Sequence, residues 1–264
     1  MLIFKTYKPK YLARFISGFD YYLQEAESDF INYALLPLGT VQLLFQFDTH
    51  VEHNTIFTKG WQNRPDIFVA GPYDKGYEMK LSPSAKIFSV TFKPSMFRYF
   101  TSYAISELKN QLLHPTQIWG KEANRLIERV TIAKNNYSRL AIIEEFLLKH
   151  FREINHSPIE NAVFEVLTSK GMGRINNYAW LSGLSIARFR KRFSEEVGLS
   201  PKEFQRLIRI NTLSKFYSKN SKVKLTWLAH QFEYFDQSHF IKEFKFITGH
   251  TPYSYLKNKR FLQF

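Results

Sequence analysis

Residues 183–201 read GLSIARFRKRFSEEVGLSP, and residues 233–252 read EYFDQSHFIKEFKFITGHTP. Both stretches carry two phenylalanines four residues apart and then a proline eight residues later, preceded by Gly-x-Ser or Gly-x-Thr. The shared positions are Phe189, Phe193 and Pro201 in the first copy and Phe240, Phe244 and Pro252 in the second. One such pattern would carry little weight, but two copies with the same spacing indicate a repeated structural unit.

Each copy predicts a helix-turn-helix hairpin. Ala179 and Ala229 precede the two turns, where a small side chain lets a second helix cross closely. The second helix should begin at Ser185 or near Asp236, because both side chains are good N-caps. The paired phenylalanines share one helix face, which should be buried. Each helix should end before the glycine of its copy, and the proline should start a new helix.

The opposite face of each second helix should meet DNA. Arg and Lys side chains can reach guanine or phosphate, Gln can read adenine, and Ser tolerates several bases. The first copy also has a basic stripe that extends to Arg192. The candidate DNA-binding residues are Ser185, Ala187, Arg188, Arg190 and Lys191 in the first unit, and Asp236, Gln237, Ser238, His239, Lys242 and Lys245 in the second. A pair of solvated helical hairpins is the alternative interpretation, which the duplication disfavours.

The net charge of +14 is unevenly distributed along the 264 residues. Residues 159–264 contain 18 Lys and Arg against 8 Asp and Glu, whereas residues 1–158 contain 19 against 15. The C-terminal part is therefore expected to face a polyanion, namely double-stranded DNA. No long amphipathic helix with a basic border suggests a membrane surface instead.

The absence of cysteine excludes a disulfide framework, a thiolate zinc site and a cysteine nucleophile. The N-terminus turns polar at once and no apolar run approaches the length of a membrane span. We therefore expect a cytoplasmic protein without a membrane partner.

The chain predicts an α+β protein of two domains. Short apolar runs at 41–47, 67–70 and 87–92, bounded by Gly and Pro, predict a small antiparallel barrel or sandwich. Helical stripes over 121–151 form a connector that should pack within the chain, although a dimer seam is the alternative. The polar residues 155–158 are the best candidate for a linker between the two domains. The expected domains are thus a β-rich regulatory or dimerisation domain over 1–155 and an all-α domain over 156–264, whose two units are joined by a long helix at 202–219.

The repeated unit resembles the AraC/XylS family of bacterial transcription regulators. The most specific match is FDQSHFIKEFK at residues 235–245, followed by Thr251-Pro252 and Tyr255. The resemblance covers about 100 residues and implies seven helices that place two recognition helices in successive major grooves, about 34 Å apart. More loosely, LPxGxVxL at 36–43, FVxGP at 68–72 and VxFKP at 90–94 resemble the barrel-like (cupin-like) domain of one subgroup.

That second resemblance implies an N-terminal sensor domain. In the wider family such domains bind a small-molecule effector or dimerise, so it implies an effector of unknown identity and leaves a homodimer open. RNA polymerase would be a partner if the protein activates transcription. No cofactor is expected.

The sequence departs from the family pattern at Glu233 and at Tyr178. Glu233 stands where the second turn usually has glycine, so a positive φ there would strain it by about 1 kcal/mol. Tyr178 replaces an aliphatic residue, which we interpret as a packing substitution.

Two other functions remain as alternatives. A nonspecific or architectural DNA-binding protein would need only phosphate contacts, which leaves Gln237 and Ser238 unexplained. A metal-dependent barrel enzyme would need clustered ligands, and only His50 and His53 with Glu52 and Asp48 come near one. Both histidines are expected in an exposed hairpin loop. No catalytic residues are predicted, so we expect no enzyme.

Overall fold

The structure, a computed structural model, describes residues 2–25, 29–47, 49–55, 60–257 and 261–262. The N-terminal half is built mainly from short strands separated by turns. The strands are β1 (Leu2–Tyr7), β2 (Ile16–Gln24), β3 (Ile31–Leu35), β4 (Gln42–Phe47), β5 (Val51–Thr55), β6 (Gln62–Asn63), β7 (Ile67–Ala70), β8 (Tyr77–Leu81), β9 (Lys86–Phe92) and β10 (Leu112–Leu113). The three strands predicted from apolar runs are confirmed within one residue at each end.

These strands form two sheets that stay separate. The first has the order β1-β2-β9-β4-β7-β10, and the second places β3-β8-β5-β6 side by side, all in antiparallel register. Over the described strands, no backbone ladder joins the edges of the two sheets. The expected barrel is therefore not closed, and the arrangement is an open two-sheet fold.

Short 3₁₀ helices at Met96–Tyr99 and Ile105–Leu108 follow β9, and three α-helices complete this half. These are α1 (Pro115–Trp119), α2 (Glu122–Ile132) and α3 (Asn136–Lys149). The predicted stripes pack inward, since Leu126, Val130, Ile143 and Leu147 are buried in the same core as the first sheet. Packing within the chain thus explains these stripes, and a dimer through this region stays a prediction.

The C-terminal half is helical. Its described helices are α4 (Pro158–Thr168), α5 (Ile175–Leu181), α6 (Ile186–Val197), α7 (Pro201–Lys219), α8 (Leu225–Gln231), α9 (Gln237–Thr248) and α10 (Pro252–Lys257). They match in number the seven that the resemblance implies. Ser200 and Glu203 form a capping box at the start of α7, where Pro201 is the first helical residue. A short strand β11 (Phe261–Leu262) then runs back to pair in parallel with β3.

The segment expected to be a linker is held in place. Ser157 is buried and caps α4 in a capping box with Glu160, and the guanidinium of Arg98 donates to the carbonyl of Asn155. Tyr99 donates its hydroxyl to Glu160 at 2.7 Å, which adds a contact from the 3₁₀ helix to α4. The 1–155 and 156–264 boundaries remain a prediction. No helix in the described part of the chain is long and apolar enough to cross a membrane.

Candidate DNA-binding surface

The first hairpin consists of α5, a tight turn and α6. Gly183 adopts a positive φ of 65° in the turn, and the hydroxyl of Ser185 accepts the backbone N–H of Arg188 at 3.5 Å to cap α6. Phe189 and Phe193 are fully buried, as the pattern predicts. Tyr178 is also buried, and its hydroxyl lies 2.8 Å from Ser169 Oγ. A hydroxyl can be accommodated here because it finds a polar partner at the end of α4.

The predicted reading face of α6 is exposed. Ala187, Arg188, Arg190 and Lys191 all lie on the surface. In the described structure, Arg188 and Arg190 form no ion pair, and Lys191 reaches Glu195 only at 4.0 Å. These charges are therefore free to meet phosphate or guanine, since no internal carboxylate competes strongly for them.

Arg192, the last residue of the basic stripe, is engaged within the protein. Its guanidinium pairs with Glu196 at 2.8 Å and donates to Ser157 Oγ at 3.1 Å. Arg98 approaches the same Glu196 at 3.2 Å from the N-terminal half. Arg192 thus ties α6 to the start of α4, which the stripe in the sequence did not indicate.

The second hairpin repeats this construction. Asp236 accepts the backbone N–H of His239 at 2.7 Å to cap α9, and Phe240 and Phe244 are fully buried. Glu233 has a φ of 55°, so the strain predicted from the missing glycine is present in this turn. The candidate residues Gln237, Ser238, His239, Lys242 and Lys245 are all exposed on α9.

Two of the candidate residues are the N-caps of their helices. The side-chain oxygens of Ser185 and Asp236 are both used as N-caps. Each cap occupies one backbone N–H of the first turn, and the N–H groups there that have no intrahelical acceptor can receive a phosphate. A direct DNA contact by either side chain stays a prediction.

A buried polar cluster orients α9 against α7. Glu243 accepts the hydroxyl of Tyr234 at 3.0 Å and pairs with Arg206 at 2.9 Å, and Arg209 lies over the Tyr234 ring. Burial and the neighbouring carboxylate raise the pKa of Tyr234 well above its usual range, so its hydroxyl keeps its proton. The sequence analysis missed this cluster, because an acidic residue on a helix normally predicts an exposed position.

Exposed aromatic side chains flank both reading faces and were also missed. Trp180 is 80% exposed beside the first turn, and Phe235 is 90% exposed just before the cap of α9. The only signal in the sequence was their position outside the buried i, i+4 pairs.

Both recognition helices end against the N-terminal half. Gly198 ends α6 with a φ of 85° and packs against Pro72 and Ile105, and a methyl group added to it would lie 2.9 Å from the Ile105 carbonyl oxygen. Near the end of α9, the Ile247 carbonyl accepts the backbone N–H of Gly76 at 2.7 Å. Residues 71–76, which we name the 71–76 loop, therefore touch the C-terminal ends of α6 and α9 together.

Lys75 is the one cation of this loop, and its side chain is buried. Its ammonium group donates to the Phe246 carbonyl at 2.8 Å and lies over the Phe246 ring. Burial lowers the pKa of Lys75 to about 8, against an opposing effect of Asp74.

The two histidines of the candidate cluster lie in different environments. His53 lies in β5 and is buried, which contradicts the expected exposed loop, while His50 is exposed. The Nδ1 atom of His53 lies 3.1 Å from the Gln62 carbonyl. Among the described side chains, no group of three or more metal-ligating residues occurs, and Asp48 lies outside the described residues.

The two halves of the chain match two different protein families. The family described as a helix-turn-helix domain matches residues 178–258, from within α5 of the first hairpin to the end of α10. The C-terminal half of the chain therefore contains a helix-turn-helix domain. The N-terminal part of the chain, residues 5–114, matches a domain of unknown function, DUF6597.

Solved structures with similarity to this chain include several of one protein. ToxT from Vibrio cholerae is 18% identical with a TM-score of 0.51, covering 90% of this chain and 97% of that chain. An apo structure of a ToxT point variant from the same organism is 14% identical with a TM-score of 0.47, covering 90% and 96%. ToxT with an unsaturated fatty acid bound is 13% identical with a TM-score of 0.46, covering 97% and 94%. No curated protein sequence matches this chain.

Proposed function

We propose that this protein is a transcriptional regulator of the AraC/XylS type, which binds a specific DNA sequence by inserting α6 and α9 into successive major grooves. The observation that carries this proposal is the duplication of one exposed, capped helix whose opposite face is buried. Each copy presents side chains that suit base edges, and the two copies differ in chemistry. The α6 face is cationic, whereas the first turn of α9 presents uncharged Gln237 and Ser238 beside His239. Two unequal helices should read an asymmetric site.

The test is selection of bound sequences from a random DNA pool with purified full-length protein. We expect two short sequence blocks whose centres lie about one turn of DNA apart. Arg190→Ala should relax the preference at one position of one block and weaken binding by about 1–3 kcal/mol, because a bidentate contact to guanine is lost. Arg190→Lys should lose the same preference while it retains the charge. Lys219→Ala, at the end of α7, is the matched control for loss of one cation.

Gln237→Ala should alter the preference in the other block only. If Arg190→Ala instead weakened binding to all sequences alike and lowered the salt slope, Arg190 would contact phosphate alone. If the pool showed no enrichment at all, the alternative of a nonspecific or architectural DNA-binding protein would replace this proposal.

We also propose that the N-terminal half modulates DNA binding, through a small-molecule effector, by setting how the two recognition helices lie relative to each other. The 71–76 loop supports this, since it contacts the ends of both. The Asn211 side chain also donates to the Pro37 carbonyl at 2.9 Å, so α7 is held as well. The same selection, repeated with Lys75→Met, should yield a broader range of spacings between the two blocks. An unchanged spacing would argue against modulation through this loop.

A further inference from the structure

A cavity lies between the two sheets of the N-terminal half. Its walls include Tyr22, Leu44 and Ile87 from the first sheet and Tyr77 and Met79 from the second. The free volume is about 40 Å³, which suffices for a few water molecules. The lining is largely apolar, and one charged side chain, Arg64, lies in its wall.

Arg64 is a buried cation without an anionic partner among the described residues. Its residue surface is only 8% exposed, and no carboxylate of the described residues lies within ion-pair distance. The Nη1 atom donates to the sulfur of Met79 at 3.0 Å, a weak acceptor, and the Nε atom has no hydrogen-bond partner. The guanidinium lies 5.2 Å from the ring centroid of Phe68 and 5.1 Å from that of Tyr77.

These contacts leave a large desolvation cost uncompensated. The aromatic faces offset part of this desolvation cost. A buried guanidinium, however, normally pairs with a carboxylate or phosphate that accepts its N–H groups. Burial and then the charge of Arg64 lower the pKa of His53, which keeps that neighbouring ring neutral. The cavity therefore carries a net positive charge inside apolar walls.

We propose that this cavity binds an apolar molecule bearing one anionic group, whose carboxylate pairs with Arg64. The apolar body would lie among Leu44, Met79 and Ile87, and the carboxylate would replace the Met79 sulfur as acceptor. This deepens the proposed modulation by naming the chemical class of the effector and the residue that selects it.

The position of the cavity links such a ligand to both recognition helices. A ligand larger than a few atoms must push the walls apart, because the free volume is small. Leu36 is shared between the cavity wall and the core of the C-terminal half, next to the Pro37 carbonyl that holds α7. Tyr77 follows the 71–76 loop, and a second void that also touches Arg64 extends to Gly71. Opening the cavity therefore moves the two segments that contact α6, α7 and α9.

The test is a matched series of three probes with the same tail, namely octanoate, octanol and octylamine, in calorimetric titration of the full-length protein without DNA. We expect octanoate to bind roughly 10- to 100-fold more tightly than octanol, and octylamine to bind most weakly. Arg64→Met should abolish the preference for octanoate over octanol while it retains octanol binding. Arg64→Lys should keep part of the preference, since the charge remains without the planar fork.

Arg139→Met is the control, because Arg139 is a half-buried arginine of the same half that lies over the Phe47 ring away from this cavity. It should leave the octanoate preference unchanged. The thermal midpoint of Arg64→Met without ligand checks folding, and we expect it to equal or exceed that of the wild type, because an unpaired buried charge is removed.

Equal affinity for octanoate and octanol in the wild type, or the same preference in Arg64→Met, would overturn the proposal. So would a large loss of stability in Arg64→Met, which would make Arg64 a structural residue. DNA selection is measured separately, so a failure of ligand binding leaves the proposed DNA recognition standing, and the reverse also holds.

Discussion

Gly198 and Gly249 form a matched pair for measuring how firmly the two halves of the chain are joined. They end α6 and α9 at equivalent positions of the repeat, with φ values of 85° and 77°. A Cβ at Gly249 would meet no atom within 4 Å, whereas a Cβ at Gly198 would overlap Pro72 and approach the Ile105 carbonyl. The backbone strain of an alanine is thus the same at both sites, and only the contact with the N-terminal half differs.

The magnitudes follow from these two effects. Gly249→Ala should lower the free energy of unfolding by about 1 kcal/mol, since a side chain in the left-handed region costs about that much. Gly198→Ala should cost this amount plus about 1–3 kcal/mol for overpacking against Pro72 and Ile105, about 2–4 kcal/mol altogether. The assay is urea unfolding of the full-length protein, followed by far-UV circular dichroism.

A double-mutant cycle assigns the difference to the contact. Pro72→Ala removes the atom nearest to the new methyl group, so it should recover part of the cost of Gly198→Ala, with a coupling of at least about 0.5 kcal/mol. The effects of Pro72→Ala and Gly249→Ala on the free energy of unfolding should be additive. Equal costs for the two glycine variants, or no coupling with Pro72, would refute the inferred packing of α6 against the 71–76 loop.

Two further predictions concern single residues. Glu233→Gly should raise the free energy of unfolding by about 1 kcal/mol, because glycine adopts the positive φ of this exposed turn without strain. Glu233→Ala should give no such gain, since alanine keeps the strain. An equal gain from alanine would show that the charge of Glu233 is responsible instead. Lys75 has a pKa of about 8 in the folded protein and of about 10.4 in the unfolded chain. Between these two pH values the unfolded state binds one more proton than the folded state. The free energy of unfolding of the wild type should therefore rise with pH, by up to about 1.4 kcal/mol per pH unit. The Lys75→Met variant should lack this contribution to the pH dependence. The measurement is urea unfolding of both proteins at pH 7.5, 8.5 and 9.5. A constant difference between their free energies of unfolding would contradict the prediction.

The sequence by itself determined the local structure of the C-terminal half. N-caps at Ser185 and Asp236, helix ends at Gly198 and Gly249, and starts at Pro201 and Pro252 depend on backbone chemistry within a few residues. The buried phenylalanine pairs follow from helical periodicity in the same way. Even the positive φ at Glu233 could be predicted, since the turn between two crossing helices requires it whatever residue is present.

Only the tertiary structure decided how distant segments meet. The sheets could have closed into a barrel on the strand pattern alone, but closure depends on register and stagger between strands far apart in the chain. His53 was predicted in an exposed loop and is buried, because two short polar strands were not recognised around it. The isolation of Arg64 and the common support of α6 and α9 by the 71–76 loop also depend on long-range packing. No local pattern encodes them, since they arise from which surfaces remain to be buried once each element has formed.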